Sequence, residues 1–306
     1  VTIALIIPDR KLDDLQQRLS AALPGVTIEI WPELNDPAAV TFAVVWKHPA
    51  GCLQQLPNLK ALQSYGAGVD SILADPELPA VPLARVVDPA LTESMLRYLA
   101  GIESYYRLRL DQFHRQQQQA QWKPKSPRQL RKLCVLGLGE LGAAAAQFFQ
   151  MQGYQVTGWA RRPQQLSGVT CYAGIDGLAA ALNDADLVIC LLPLTSATED
   201  LLNQQLFALM KPGVILVNVA RGALLVEADL LAALDSGQVQ AACLDVFRQE
   251  PLAATHPFWS HPSILVTPHI SAVTRVDTVV AQIAENYRRS EAGLALLNQI
   301  DRQQGY

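Results

Sequence analysis

Side chains able to hold an anion or move a proton stand just past three short apolar, β-rich runs. Val214-Ile215-Leu216-Val217-Asn218-Val219 is followed by Ala220-Arg221-Gly222. Ala241-Ala242-Cys243-Leu244 leads to Asp245 and, a few residues on, to Glu250-Pro251. Ile264-Leu265-Val266-Thr267 leads to Pro268-His269. Read as parallel strands of an open α/β sheet, the runs deliver these residues to the edge where ligands bind. Arg221 can hold a carboxylate and polarise a neighbouring carbonyl oxygen. His269, as imidazolium, can protonate that oxygen, and Glu250 on the other ring nitrogen fixes the imidazole and raises its pKa. Read singly, the arginine is as well a surface ion-pair partner and the other two are loop residues. Their joint placement at strand ends is what points to catalysis.

The hydride for such a reduction has a candidate carrier. Cys134-Val135-Leu136-Gly137-Leu138-Gly139-Glu140-Leu141-Gly142-Ala143 reads as a buried strand turning on glycines into an alanine-rich helix. Gly137 permits the tight turn, Gly139 lets the backbone approach a pyrophosphate, and Gly142 lets the helix sit against the strand. The helix N-terminus then faces the anion. Short glycine patterns also arise by chance, and it is the strand before and helix after that make this one a dinucleotide site. An acidic residue usually grips the ribose hydroxyls about 20 positions beyond the first glycine. Here the second strand, Gln155 to Trp159, ends in Ala160-Arg161-Arg162. Guanidinium groups would pair with a 2′-phosphate that a carboxylate would repel, which favours NADP(H) over NAD(H). The alternative is that Arg161 and Arg162 are ordinary solvated turn residues. With a nicotinamide present, Asp245 is expected to accept a hydrogen bond from its carboxamide.

These positions require two units in which β-rich runs alternate with helical periodicity, the pattern of doubly wound parallel sheets. The first unit has strands at 1–7, 26–31, 42–46, 60–64 and 83–87 and a helix at 12–23. A long helix is expected from about Thr92 through Arg115, followed by the polar tract Gln116 to Gln119 and a loop at 122–127. The second unit has strands at 133–136, 155–159, 187–191, 214–219, 241–246 and 264–267, with helices between them such as 143–152 and 228–236. A last amphipathic helix, about Val276 to Leu297, has no strand left to join there and is expected to return to the first unit. The expected domains are 1–95 with 276–306, flavodoxin-like and binding substrate, and 96–275, a Rossmann cofactor domain, with a cleft between.

The totals agree with this class. At 306 residues the chain is long enough for about two domains, and half of it is apolar. A net charge of −4 leaves no basic footprint for nucleic acid. Five scattered cysteines, three of them in apolar runs, have neither zinc spacing nor disulfide density. No metal is expected. The apolar opening meets Pro8-Asp9-Arg10 too soon for a signal peptide, and no apolar run approaches a membrane span. A cytoplasmic protein without membrane partners is expected.

Over essentially its whole length the chain resembles the D-isomer-specific 2-hydroxyacid dehydrogenase family. The resemblance is carried by Val135-Leu136-Gly137-Leu138-Gly139, Leu192-Pro193-Leu194-Thr195, Asn218-Val219-Ala220-Arg221-Gly222, Leu244-Asp245-Val246-Phe247 with Glu250-Pro251, and Thr267-Pro268-His269-Ile270, in the family's order and spacing. Within the family the likeness is greatest to the glyoxylate/hydroxypyruvate reductase A type. Val45-Trp46-Lys47-His48-Pro49, Gly66 to Leu73, Trp159-Ala160-Arg161-Arg162 and Leu230 to Gly237 carry that likeness. The resemblance implies Arg221, Glu250 and His269 as the catalytic trio. It implies a loop, Gly66-Ala67-Gly68, that offers N–H groups to the substrate carboxylate, and Trp46 as a pocket wall. It further implies cofactor contacts from Gly137, Leu138, Gly139, Glu140, Leu141, Trp159 to Arg162, Leu192, Pro193, Thr198, Val219, Ala220 and Asp245. It also implies a homodimer, in which Trp122 either reaches the partner's site or serves packing.

The activity so implied is reduction of small 2-oxo acids, glyoxylate to glycolate and hydroxypyruvate to D-glycerate. A bulkier 2-oxo acid is the alternative substrate. A nucleotide-sensing scaffold or corepressor is the alternative of another class, disfavoured by the intact Arg221, Glu250 and His269.

Overall fold

The computed structural model describes residues 1–8 and 10–305. The chain divides into two compact units, Val1–Leu91 with Thr274–Tyr306, and Thr92–Val273.

The first unit holds five parallel strands, β1 (Thr2–Ile6), β2 (Thr27–Ile30), β3 (Val40–Val45), β4 (Ala61–Ser64) and β5 (Leu83–Ala84), in the order β2-β1-β3-β4-β5. Helix α1 (Asp13–Ala22) follows β1, and the short α2 (Asp70–Leu73) follows β4. β1 and β3 are buried at every residue, with Ile3, Leu5, Phe42 and Val44 in one apolar cluster and Ala4, Ile6, Ala43 and Val45 in another. A sheet covered on both faces needs apolar residues without alternation, which is why these strands read as continuous runs.

Helix α3 (Pro89–Arg107) carries the chain into the second unit and is followed by α4 (Leu110–Gln118). The single helix expected from 92 to 115 is therefore two. Arg109 takes a left-handed conformation, φ 60°, that an α-helix cannot contain. The start is three residues earlier than expected because Pro89 suits a first helical position. Asp88 Oδ1 also accepts the N–H of Ala90 at 2.9 Å.

The second unit is a seven-stranded parallel sheet of β6 (Lys132–Leu136), β7 (Gln155–Ala160), β8 (Val169–Ala173), β9 (Leu187–Cys190), β10 (Val214–Asn218), β11 (Val239–Leu244) and β12 (Ile264–Val266). Their order is β12-β11-β10-β9-β6-β7-β8, and α5 (Glu140–Met151), α6 (Gly174–Leu182), α7 (Gln204–Ala208) and α8 (Glu227–Asp235) lie between them in the chain. The sequence reading has no β8. That edge strand is half-buried or exposed throughout, so it lacks the apolar run that marks its neighbours.

The register matters most for function. Leu136 pairs with Trp159 and Cys190, Cys190 with Asn218, Asn218 with Leu244, and Leu244 with Val266. Six strands thus end level, and the next residues of each leave from one edge of the sheet.

The last helix, α9 (Val276–Glu291), packs in the first unit against α1, β3 and β4. Val279, Ile283 and Tyr287 join the cluster of β1 and β3, with Tyr287 edge-on to Phe42 at 5.9 Å. Fully buried Asn286 donates to Gln63 Oε1 of β4 at 2.6 Å. The helix stops six residues short of the expected end. Gly293 turns left-handed, φ 69°, and Leu297 N–H bonds back to Asn286 Oδ1 at 2.7 Å.

Among the described residues no helix is long and apolar enough to cross a membrane, and no group of three or more His, Cys, Asp or Glu could hold a metal ion. All five cysteines are free thiols.

Candidate active site

The glycine turn sits where β6 meets α5, and each glycine has its own reason. Gly137 is left-handed, φ 99°, and a Cβ there would lie 2.7 Å from the carbonyl oxygen of Leu191 at the end of β9. At Gly142 a Cβ would fall 1.7 Å from the carbonyl oxygen of Gly137, so only glycine lets α5 start this close to the strand. A Cβ at Gly139 would meet nothing within 4 Å. The turn is thus open on the side a phosphate would approach, and the first N–H groups of α5 have no intrahelical acceptor. These residues fit a pyrophosphate.

Around the turn, Leu138 packs on Gly158, where any Cβ would come within 2.7 Å of its side chain. Glu140 is exposed and Leu141 half-buried. The buried Trp159 donates its indole N–H to the carbonyl of Gly174 at 2.7 Å, so that donor is engaged within the fold. Ala160 ends β7, and Arg161 and Arg162 follow it at the exposed edge with no carboxylate between them and the strand. Leu192 is buried and Pro193 half-buried past β9. Thr198 folds this loop on itself: its hydroxyl donates to the Pro193 carbonyl at 2.7 Å and accepts the Thr195 N–H at 2.9 Å.

His269 and Glu250 are in hydrogen-bond contact. His269 Nδ1 lies 2.9 Å from Glu250 Oε2. An ionised carboxylate only accepts, so Nδ1 carries the proton and Nε2 is the nitrogen left for a substrate. Glu250 Oε1 accepts the Phe247 N–H at 3.1 Å, which fixes the carboxylate within its own loop. His269 is itself left-handed, φ 55°, a conformation that costs a side-chain-bearing residue about 1–2 kcal/mol.

Asp245 supports that conformation. It is fully buried; Oδ1 accepts the Thr267 hydroxyl at 2.6 Å and the Ile270 N–H at 2.8 Å, and Oδ2 accepts the Ser271 N–H at 2.9 Å. Besides any contact with a nicotinamide carboxamide expected from sequence, this carboxylate grips the chain on both sides of His269.

Arg221 follows β10 by way of the buried Val219 and Ala220. The fully buried Asn218 shapes this turn, donating to the Arg221 carbonyl at 3.0 Å and accepting the Ala220 N–H at 3.1 Å. One Arg221 Nη donates to the Ala220 carbonyl at 2.6 Å. Gly222 touches the next loop so closely that a Cβ would sit 1.8 Å from the carbonyl carbon of Phe247. The Arg221 turn and the loop leading to Glu250 are therefore one packed assembly.

In the first unit, Trp46 and the Gly66-Ala67-Gly68 loop leave the carboxyl ends of the adjacent strands β3 and β4. A Cβ on Gly66 would lie 2.5 Å from the Trp46 ring, so the indole rests on bare backbone. Gly66 N–H is bonded to Ser64 Oγ at 3.2 Å, and that hydroxyl donates to the Gly68 carbonyl at 2.8 Å. Of the three N–H groups expected to face a carboxylate, this one is engaged by Ser64. Two residues after Trp46, His48 Nε2 meets Asp75 Oδ2 at 3.0 Å in a buried pair. Burial alone would raise the Asp75 carboxyl. The Glu77 N–H, His48 and the Gly51 N–H outweigh it and hold the group below the ordinary range.

Asn218, Thr267 and Ser64 are not among the site residues expected from sequence. Asn218 and Thr267 do stand inside motifs singled out above, and a buried polar residue at the end of an apolar strand was the available signal.

The sequence profile of the D-isomer specific 2-hydroxyacid dehydrogenase NAD binding domain matches residues 105–271. The glyoxylate/hydroxypyruvate reductase A of Serratia proteamaculans is 42% identical, over 94% of each chain, and that of Yersinia enterocolitica 40%, also over 94% of each. Among solved structures, a D-isomer specific 2-hydroxyacid dehydrogenase from Xanthobacter autotrophicus in complex with NADPH and MES superposes with a TM-score of 0.94 at 38% identity, covering 100% of this chain and 99% of that one. An NADPH-dependent glyoxylate/hydroxypyruvate reductase from Sinorhizobium meliloti, in complex with NADP and sulfate, gives 0.93 at 32% identity with the same coverage. By profile, sequence and fold, this chain belongs to the D-isomer specific 2-hydroxyacid dehydrogenase family.

Proposed function

We propose that the chain reduces small 2-oxo acids with NADPH, converting glyoxylate to glycolate and hydroxypyruvate to D-glycerate. The observation that carries this reading is the Glu250–His269 pair at 2.9 Å, set on the same sheet edge as the glycine turn. A bound nicotinamide supplies the hydride. Arg221 holds the substrate carboxylate and draws electron density from the carbonyl oxygen. His269 gives its Nε2 proton to that oxygen as the hydride arrives, and the Glu250 carboxylate stabilises the imidazolium beforehand. Ala67 and Gly68 supply backbone N–H groups to the carboxylate, and the Trp46 ring limits the substituent on the 2-oxo carbon.

Preference for the phosphorylated cofactor is read from Arg161 and Arg162, with the NADPH and NADP complexes of the two structural relatives in support. A homodimer accords with the exposed Trp122, Leu108 and Leu110 in and beside α4, and we place the protein in the cytoplasm.

Initial rates with glyoxylate, hydroxypyruvate and a branched 2-oxo acid, each with NADPH and NADH, test the reading. Turnover of the two small acids with NADPH is expected. Activity confined to the branched acid would remove the substrate assignment, and equal rates with NADH would remove the role of the arginines. Arg161→Ser with Arg162→Ser should raise KM for NADPH about 10- to 100-fold and leave that for NADH unaltered.

A further inference from the structure

We infer that Tyr98, on α3, is a positioning residue for the acid His269, acting through Thr267 and Asp245. The inference rests on the function proposed above only for the meaning of His269 as an acid; the coupling itself is structural. Tyr98 Oη lies 2.6 Å from Thr267 Oγ1 and 3.2 Å from Cys243 Sγ. Thr267 Oγ1 lies 2.6 Å from Asp245 Oδ1.

The direction of this chain follows from hydrogen counting. A carboxylate accepts, so the Thr267 hydroxyl donates to Asp245 and has no second proton. It can therefore only accept from Tyr98, and the phenol is the donor. Burial pushes the Tyr98 phenol upward and the Cys243 thiol up to about 12, which keeps both protonated. The order is phenol to threonine to carboxylate.

Asp245 holds the backbone at 270 and 271 while Thr267 is the residue two before His269. The left-handed histidine is thus clamped from both sides, and the far end of the clamp is anchored on a different element, α3. A rigid helix gives Thr267 one rotamer, Thr267 gives Asp245 one orientation, and Asp245 gives the His269 backbone its turn. The ionisable groups hydrogen-bonded to this segment, among the described residues, are Glu250 on the imidazole, Asp245 beneath the backbone, and Tyr98 behind Thr267, with Cys243 next to the phenol.

Loss of the phenol hydroxyl loosens the imidazole from Glu250 and lowers its pKa. The acid form is needed for reduction, so the high-pH fall in kcat moves to lower pH. The test follows the His269 imidazole by NMR titration of the full chain, assigned with His269→Asn, in wild type, Tyr98→Phe and Thr267→Val, with Glu250→Gln as the reference. Tyr98→Phe and Thr267→Val should lower the apparent pKa by about half a unit, less than Glu250→Gln does. In Tyr98→Phe, kcat for glyoxylate should fall about 3- to 10-fold with KM for NADPH unmoved. Thr267→Ser, which keeps the hydroxyl, should titrate as wild type. A Tyr98→Phe protein with the wild-type titration overturns the inference whatever its rate. A drop in melting temperature without a change in titration also overturns it, since that is a merely structural tyrosine. If wild type does not turn over 2-oxo acids, the proposed function falls, and the titration still decides the role of Tyr98.

Discussion

The two sheet edges that carry candidate site residues are held in different ways. On the second unit's edge, each residue assigned to chemistry is fixed by a buried polar neighbour: Asn218 shapes the Arg221 turn, Asp245 clamps the His269 turn, and the Phe247 N–H holds Glu250. On the first unit's edge the buried Ser64 hydroxyl shapes the Gly66 loop in the same manner, but Trp46 is placed sterically, its indole laid on the bare backbone of Gly66. The difference accords with the roles proposed for the two edges. A proton donor must be held in angle and in pKa, which calls for directional bonds. A wall need only occupy volume, and close packing suffices.

This contrast predicts what substitutions on each edge should do. His269→Asn removes the proposed proton donor and should lower kcat about 10³-fold in steady-state rates, with NADPH affinity retained in a fluorescence titration. Gly222→Ala forces a Cβ into the carbonyl carbon of Phe247, 1.8 Å away, and should part the Arg221 turn from the Glu250 loop. A loss of about 10²-fold in kcat/KM is expected, because a shift of about an ångström disturbs the reacting geometry. Gly66→Ala, on the steric edge, meets the Trp46 ring at 2.5 Å. It should raise KM for glyoxylate about 10-fold and leave the pH profile of kcat in place, since no proton carrier moves. A shifted profile would break the contrast.

A further effect concerns stability, not rate, in the first unit. Asp75 has a carboxyl held below its ordinary range, so the folded state binds its proton less readily than the unfolded state does. Its contribution is therefore complete above the unfolded value and fades as pH falls through the lower, folded one. Asp75→Asn should cost about 2 kcal/mol in denaturant unfolding at neutral pH. The gap from wild type should narrow in acid below the ordinary carboxylate range.

Much of this architecture was legible because the chemistry lies in contiguous motifs. Val-Asn-Val-Ala-Arg-Gly and Thr-Pro-His-Ile each present a strand and the turn after it, so apolar run and polar residue arrive together. Asp245 was legible as a site residue but its grip on the chain around His269 was not, since its partners Thr267, Ile270 and Ser271 come from a strand end 22 or more residues away. Tyr98 was read as one more apolar position of a helix; its hydroxyl acquires meaning only when the register sets β11 and β12 beside each other. The break at Arg109 is a backbone conformation that an arginine does not advertise, whereas Gly293 was a visible stop, passed over because Leu294, Leu296 and Leu297 prolong the apolar pattern.

The placement of α9 bears on the order in which the molecule is made. The second unit is a single uninterrupted segment and can close as soon as β12 leaves the ribosome. The first unit is translated earlier, yet Phe42 lacks Tyr287, and Gln63 Oε1 lacks Asn286, until α9 emerges. Translation order and completion order are thus reversed. During synthesis the nascent first sheet displays an apolar face only partly covered by α1 for the time it takes to make the whole of the second unit, an interval in which a chaperone has a surface to hold.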